Sequence, residues 1–314
     1  MIPDTTLVIV WLVFAHLVAD FVLQNDGIAL NKGSGTSEGN RALLTHGFHV
    51  GLCLVPAVLA FGLPGLVYLV LVVVSHMLVD RWKVQATRRA EAAAQEAALA
   101  RMERTGEVPT SGLGGAWTPW PGMLFLADQA LHMTFAIVGW LVILYGVPLT
   151  AVWVDLVNLI LRDWNRATVN AVILTGVVLV SLFLVNTRGA YYFVLALVSP
   201  RDLRRTGVQA AVESPPADGA PAPESRPATP AVPVGAPARI GATIGALERI
   251  LIVTFVLVGA TAAVGVVIAV KTLARFKQLD DRGFAEYYLL GTLASVAVAV
   301  ASALVGQAAL ASLT

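Results

Sequence analysis

A single cysteine, Cys53, stands in 314 residues, which excludes an intramolecular disulfide and any CxxC metal or redox motif. Charge is equally scarce: 13% of the residues are Asp, Glu, Lys or Arg and the formal net charge is +1. That balance gives no argument for nucleic acid or an acidic substrate. No repeat of solenoid period is present. The first apolar run lacks a basic stretch ahead of it and contains His16 and Asp20, so it reads as an uncleaved span rather than a signal peptide. With no cysteine cluster, any bound metal must be held by histidine, carboxylate or water.

What the chain has instead is apolar length. It is 57% hydrophobic with a mean hydropathy of +0.76, and it repeats runs long enough to cross ~30 Å of hydrocarbon. The expected fold is an all-α polytopic transmembrane bundle of about six to seven spans. Spans are expected at about 5–24, 41–61, 66–82, 123–145, 168–185, 244–270 and 288–313. The Gly62-Leu63-Pro64-Gly65 run predicts a tight reversal. Pro148 to Arg162 is apolar but short and holds Asp155, which predicts an interfacial or re-entrant segment, and Ala190 to Val198 is again too short to cross. The chain divides into four regions: a four-span bundle at 1–146 with a polar helix at 83–104, short apolar segments and a fifth span at 147–199, a Pro/Ala-rich linker at 200–240 expected to be disordered, and a two-span hairpin at 241–314.

Lys/Arg bias sets the orientation. Arg81, Lys83, Arg88, Arg89, Arg101 and Arg104 come after the third span, so that loop is expected in the cytoplasm with the N-terminus outside. One conflict arises: with seven spans the basic stretch Lys271, Arg275, Lys277 and Arg282 would fall outside. That stretch reads as a helix extension carrying pairs such as Arg282–Glu286.

The informative residues are the histidines. All five sit in short polar patterns: His16-x3-Asp20-x3-Gln24, His46-x2-His49, His76-x3-Asp80 and Asp128-Gln129-x2-His132. Residues three or four apart share a helix face, and hairpin connectivity brings all four patterns to one depth, ~5–15 Å from the same membrane face. Ionisable groups inside a span are costly and mark function. Imidazole and carboxylate at these spacings on facing helices are how bundles hold zinc and other divalent metals. The candidate ligands are His16, Asp20, His46, His49, His76, Asp80, Asp128 and His132. Eight groups are too many for one tetrahedral zinc, so either two metals bind or some carboxylates orient the ligating histidines. Asp20, Asp80 and Asp128 are the candidate catalytic carboxylates, one of them serving as general base. His46 and His49, nearest the interface, are the first expected bystanders; Gln24 and Gln129 are expected polar neighbours, and Lys83 either snorkels or acts.

These motifs, with Thr45-His46-Gly47-x-His49 and Lys83, resemble those of a bacterial membrane family named only as domain of unknown function 3307. Toward the C-terminus, Ile244-Gly245-x-Leu247-Glu248-Arg249, Lys271-x3-Arg275-Phe276-Lys277 and Glu286-Tyr287-Tyr288-Leu289-x-Gly291-Thr292 resemble its longer members. The resemblance implies a multi-pass protein of the bacterial inner membrane and a soluble SatD-type partner, because such a protein is encoded beside many members. The His/Asp layout is also similar to families called membrane-bound metal-dependent hydrolases. Three functions fit: a metal-dependent hydrolase of a lipid or lipid-like substrate, an ion or proton-coupled transporter, and a non-catalytic membrane anchor for the soluble partner.

Overall fold

Asp4 starts the first helix by accepting at Oδ1 from the backbone N–H of Thr6 and Leu7, which satisfies donors that a helix leaves open. The computed structural model describes residues 4–32, 36–106, 117–198 and 236–311, and among them every regular element is a helix. Helix α1 (Thr5–Val18) runs into a turn of π-helix (Ala19–Leu23) that holds Asp20. The short α2 (Asp26–Asn31) comes next, then α3 (Ser37–Phe61), α4 (Leu63–Thr105) and α5 (Trp120–Ile143). Among the described residues, seven helices are long and apolar enough to cross a membrane, so this is a multi-pass membrane protein.

The sequence of α3 shows how these helices are sorted. Leu44, Phe48, Leu52, Val55 and Leu59 form an exposed apolar stripe, whereas His46, Val50, Leu54, Ala57 and Phe61 are buried on the opposite side. The exposed stripe suits lipid and the buried one packs on α1, α4 and α5. At Gly62, φ is +64°, a conformation only glycine takes readily, and it turns α3 straight into α4. Gly47 permits the closest approach at the polar level: a Cβ there would lie 2.7 Å from Met77 Sδ on α4.

Helix α4 has 43 residues, about 65 Å of helix, which is roughly twice the hydrocarbon thickness. The polar helix expected at 83–104 is therefore the uninterrupted continuation of the third span. We call the side on which it emerges the site face and the other the far face. The expected connector 109–121 lies outside the described residues over 107–116.

Helix α6 (Ala151–Ile160) packs at the far face, where Thr150 donates through N–H to Ala60 O and through Oγ1 to Leu59 O. It is the short apolar helix expected there. The next segment departs from expectation. Helix α7 (Arg166–Leu184), a π-turn (Val185–Gly189) and α8 (Ala190–Val198) form one continuous helix, so Ala190–Val198 completes the fifth span instead of standing apart. A π-turn keeps the backbone bonded while adding a residue, which hydropathy alone does not reveal.

The expected linker at 200–240 lies outside the described residues up to residue 235, and from Ala236 the chain is helical. The sixth span is shorter than expected. Helix α9 (Ala236–Leu257) ends where Gly259 takes φ +77°, and α10 (Ala262–Ala274) folds back along it, so that Lys271 pairs with Glu248. The last helix, α11 (Arg282–Ala311), then runs parallel to α9: Arg249 Nη1 donates to Ser295 Oγ, and Val256 shares a core with Ala299 and Ala303. Because the chain reverses at Gly259, the basic stretch 271–282 returns to the site face, which removes the conflict in the charge bias. The stretch is also no single helix extension: Lys271 belongs to α10 and Arg282 opens α11, although the expected Arg282–Glu286 pair is present at 3.0 Å.

Candidate metal centre

Four helices deliver the polar patterns to one buried cluster. His46 is 0% exposed, Asp80 and Asp128 1%, His76 and His132 3%, and Asp20 6%. His46 Nε2 and His76 Nε2 are 2.9 Å apart. Asp20 Oδ1 lies 3.4 Å from each of them, and Asp80 Oδ2 lies 3.5 Å from His46 Nε2 and 3.9 Å from His76 Nε2. Ligand atoms around a tetrahedral zinc, each ~2.0–2.1 Å from the ion, are separated by ~3.3 Å. The spacing observed here brackets that value.

A second observation tests the fit. Each of the three aspartates has one oxygen held and one bare. Asp80 Oδ1 accepts from Lys32, Asp128 Oδ2 from Lys83 and Gln129, and Asp20 Oδ2 from Gln129. The other oxygens, Asp20 Oδ1, Asp80 Oδ2 and Asp128 Oδ1, are buried with no hydrogen-bond partner. Buried acceptors left open are costly, and all three face imidazole nitrogens. A cation among them would satisfy the set. The clusters His16/His76/His132, Asp20/His46/His76 and Asp80/Asp128/His132 each bring three ligand atoms within 4.8 Å of one another, so these residues could hold a metal ion.

The surrounding bonds orient the rings. His132 Nε2–H donates to the His76 carbonyl at 3.2 Å, which leaves Nδ1 bare and 3.8 Å from Asp128 Oδ1. His16 Nε2–H donates to Gln129 Oε1 at 3.1 Å, and the Gln129 amide reaches both Asp20 and Asp128. Gln129 thereby ties α1 to α5.

The structure reverses one expectation and limits another. His46, expected as a bystander, is the most enclosed member of the cluster. Its place on the buried stripe of α3 was the signal that pointed inward. His49, offered as a ligand, stays outside the three clusters, beside Phe48 with ring centroids 6.2 Å apart. Three residues on from His46, it is half-buried and nearer the far face, its Nδ1 enclosed without a hydrogen-bond partner. Lys83 does not snorkel; its Nζ lies 2.9 Å from Asp128 Oδ2 and 4.9 Å from the centroid of the Phe125 ring. Gln24 is a polar neighbour through its Oε1, which accepts from Lys32.

Lys32 was missed. It comes just after α2, outside the spans, and reaches 2.8 Å from Asp80 Oδ1. Burial alone would pull its pKa down, but Asp80 and then Asp20 outweigh that and hold it above the ordinary lysine value. Nothing in the sequence distinguishes it from a solvated loop lysine.

With this geometry in hand, the chain can be set against known proteins. Residues 8–161 match the family model described as protein of unknown function (DUF3307). This part of the chain belongs to that family. The matched DUF3307 segment contains every residue of the cluster and ends before the fifth span, so the C-terminal motifs lie beyond it. No curated protein and no solved structure matches the chain.

Those C-terminal residues nonetheless meet one another. Lys271 pairs with Glu248 and lies 6.0 Å from the Tyr288 ring centroid. Arg249, 4% exposed, donates to the Asn186 carbonyl in the second π-turn and to Ser295. That π-turn packs against the first: a Cβ on Gly189 would touch the Phe21 ring at 3.4 Å.

Proposed function

We propose that this DUF3307 protein is an intramembrane metal-dependent hydrolase, with zinc as its ion, acting on a lipid-like substrate at the site face. The observation that carries this reading is the convergence of two bare carboxylate oxygens, Asp20 Oδ1 and Asp80 Oδ2, on the imidazole nitrogens of His46 and His76 at zinc-ligand spacing. Asp20, His46, His76 and Asp80 would hold the ion. Zinc so held would supply Lewis acidity: taken up beside those four ligands, a water would have its pKa lowered, and an ester or phosphoryl oxygen would be polarised.

The chain's own residues supply the rest. Asp128, not needed for that set of four, is the candidate general base: its bare Oδ1 can take a proton from the attacking water, and His132 Nδ1 beside it can share the load. Lys83 and Gln129 on Oδ2 keep the carboxylate turned with Oδ1 inward. A cavity at the site face reaches the cluster at Asp20 and Gln129.

The test is elemental analysis of the protein purified in detergent. The reading expects stoichiometric zinc that is lost in His76→Ala/Asp80→Ala. No bound metal in the parent, or undiminished metal in that variant, would overturn it.

A further inference from the structure

The cavity over the cluster measures ≈ 450 Å³, within the range of small-molecule sites. Asp20 and Gln129 lie at its inner end, and Lys32 and Lys83 belong to its wall. The two lysines come from different elements, yet their ammonium groups close on neighbouring carboxylates at 2.8 Å and 2.9 Å. On α4 the residues Asp80, Lys83, Thr87 and Glu91 succeed one another at helical spacing, so a single stripe leads from the buried aspartate outward along the cavity. Glu91 stands two turns beyond Lys83, toward the outer end of the stripe.

The remaining wall is apolar. Phe21 stacks on Tyr192 with centroids 6.4 Å apart, and both line the cavity with Phe125. Leu195 lines it as well while remaining 45% exposed on α8, so the wall is continuous with the surface that faces lipid. The cavity thus presents two lysines at its floor, each held by one buried carboxylate with donors to spare, and an apolar flank at its side. An amphiphile with an anionic headgroup matches both; a cationic headgroup would meet the ammonium groups, and an uncharged one would leave them unused. Lysine is a compact point charge suited to phosphate.

We propose that this cavity binds the phosphate group of a lipid, with Lys32 and Lys83 reading the phosphate and the aromatic wall taking the first part of the chain. The proposal names the substrate class of the hydrolase reading and rests on it for the hydrolytic step, whereas binding itself needs only the lysines.

Calorimetric titration of the detergent-purified full chain tests it, with three probes: dihexanoyl phosphatidic acid, dihexanoylglycerol and inorganic phosphate. Phosphatidic acid should bind at least about tenfold more tightly than either of the others. Lys32→Gln and Lys83→Gln should each weaken it by about tenfold, the loss of one charged contact, and Lys83→Arg should retain most of the affinity. Equal binding of dihexanoylglycerol, or unchanged affinity in both glutamine variants, overturns the proposal. Inorganic phosphate binding as tightly as phosphatidic acid overturns its lipid half. If Lys32→Gln does not fold, Lys83→Gln against Lys83→Arg decides, because Lys83 is the more exposed of the two. Metal content is measured on the same samples. Lysine-dependent phosphatidic acid binding without any metal would keep this proposal and remove the hydrolase reading, and bound metal without lipid preference would do the reverse.

Discussion

Lys32 Nζ lies 2.8 Å from Asp80 Oδ1, joining the segment between the first two spans to the site-face end of the third. Both side chains are nearly buried, 9% and 1% exposed. Breaking such a pair leaves one charge without its partner, at a cost of about 3–5 kcal/mol. Lys32→Met should therefore lower the apparent melting temperature in detergent more than Lys32→Met/Asp80→Asn does, since the double change removes both charges. Equal or additive losses would show that the pair is not coupled.

His46 and His49 differ by three residues and by everything else. His46→Ala should reduce bound metal at least as much as His76→Ala, and His49→Ala should leave it close to the parent level. Metal analysis of the three variants settles the point; dependence on His49 would mean that α3 is rotated about its axis.

Gly47 sets the gap between the helices that carry His46 and His76. Its hypothetical Cβ would sit 2.7 Å from Met77 Sδ, the end of a flexible side chain, so Gly47→Ala should be tolerated at about 1–3 kcal/mol. Gly47→Leu should separate the helices and abolish metal retention. Met77→Ala in the same chain should recover part of the stability lost by Gly47→Ala, measured by thermal unfolding. No recovery would place the strain elsewhere.

The reversal at Gly259 makes a topological prediction. In a Cys53→Ser background, cysteines introduced at Gln278 and Glu103 should react with an impermeant maleimide from the same side of the membrane. One at Trp164, between α6 and α7, should react from the opposite side. Labelling of Gln278 together with Trp164 would restore an unbroken sixth span.

Arg249 links the last helices to the fifth span through the Asn186 carbonyl and Ser295. Arg249→Ala leaves both without their donor and should destabilise by about 3 kcal/mol. Through the contact between Gly189 and Phe21, it should also reduce metal retention. A stability loss with metal affinity unchanged would show that the two π-turns are packed together without being coupled.

Much of this protein is set by one-dimensional information, because hydrocarbon acts on every residue of a span alike. Long apolar runs become crossings wherever they fall, and residues three or four apart share a helix face whatever lies opposite. Hence the all-helical fold, the first four spans and the meeting of His16, His76, Asp80, Asp128 and His132 could be expected from the chain alone. The breaks in the later spans were not legible, since a π-turn at Val185–Gly189 and a left-handed glycine at Gly259 leave hydropathy unchanged while altering where the chain goes. Nor was the choice between His46 and His49, or the inward reach of Lys32. Those depend on which side of a helix meets its neighbours and on a carboxylate supplied from 48 residues away. Local periodicity can bring ligands to one depth; only the packing of four helices decides which atoms finally face one another.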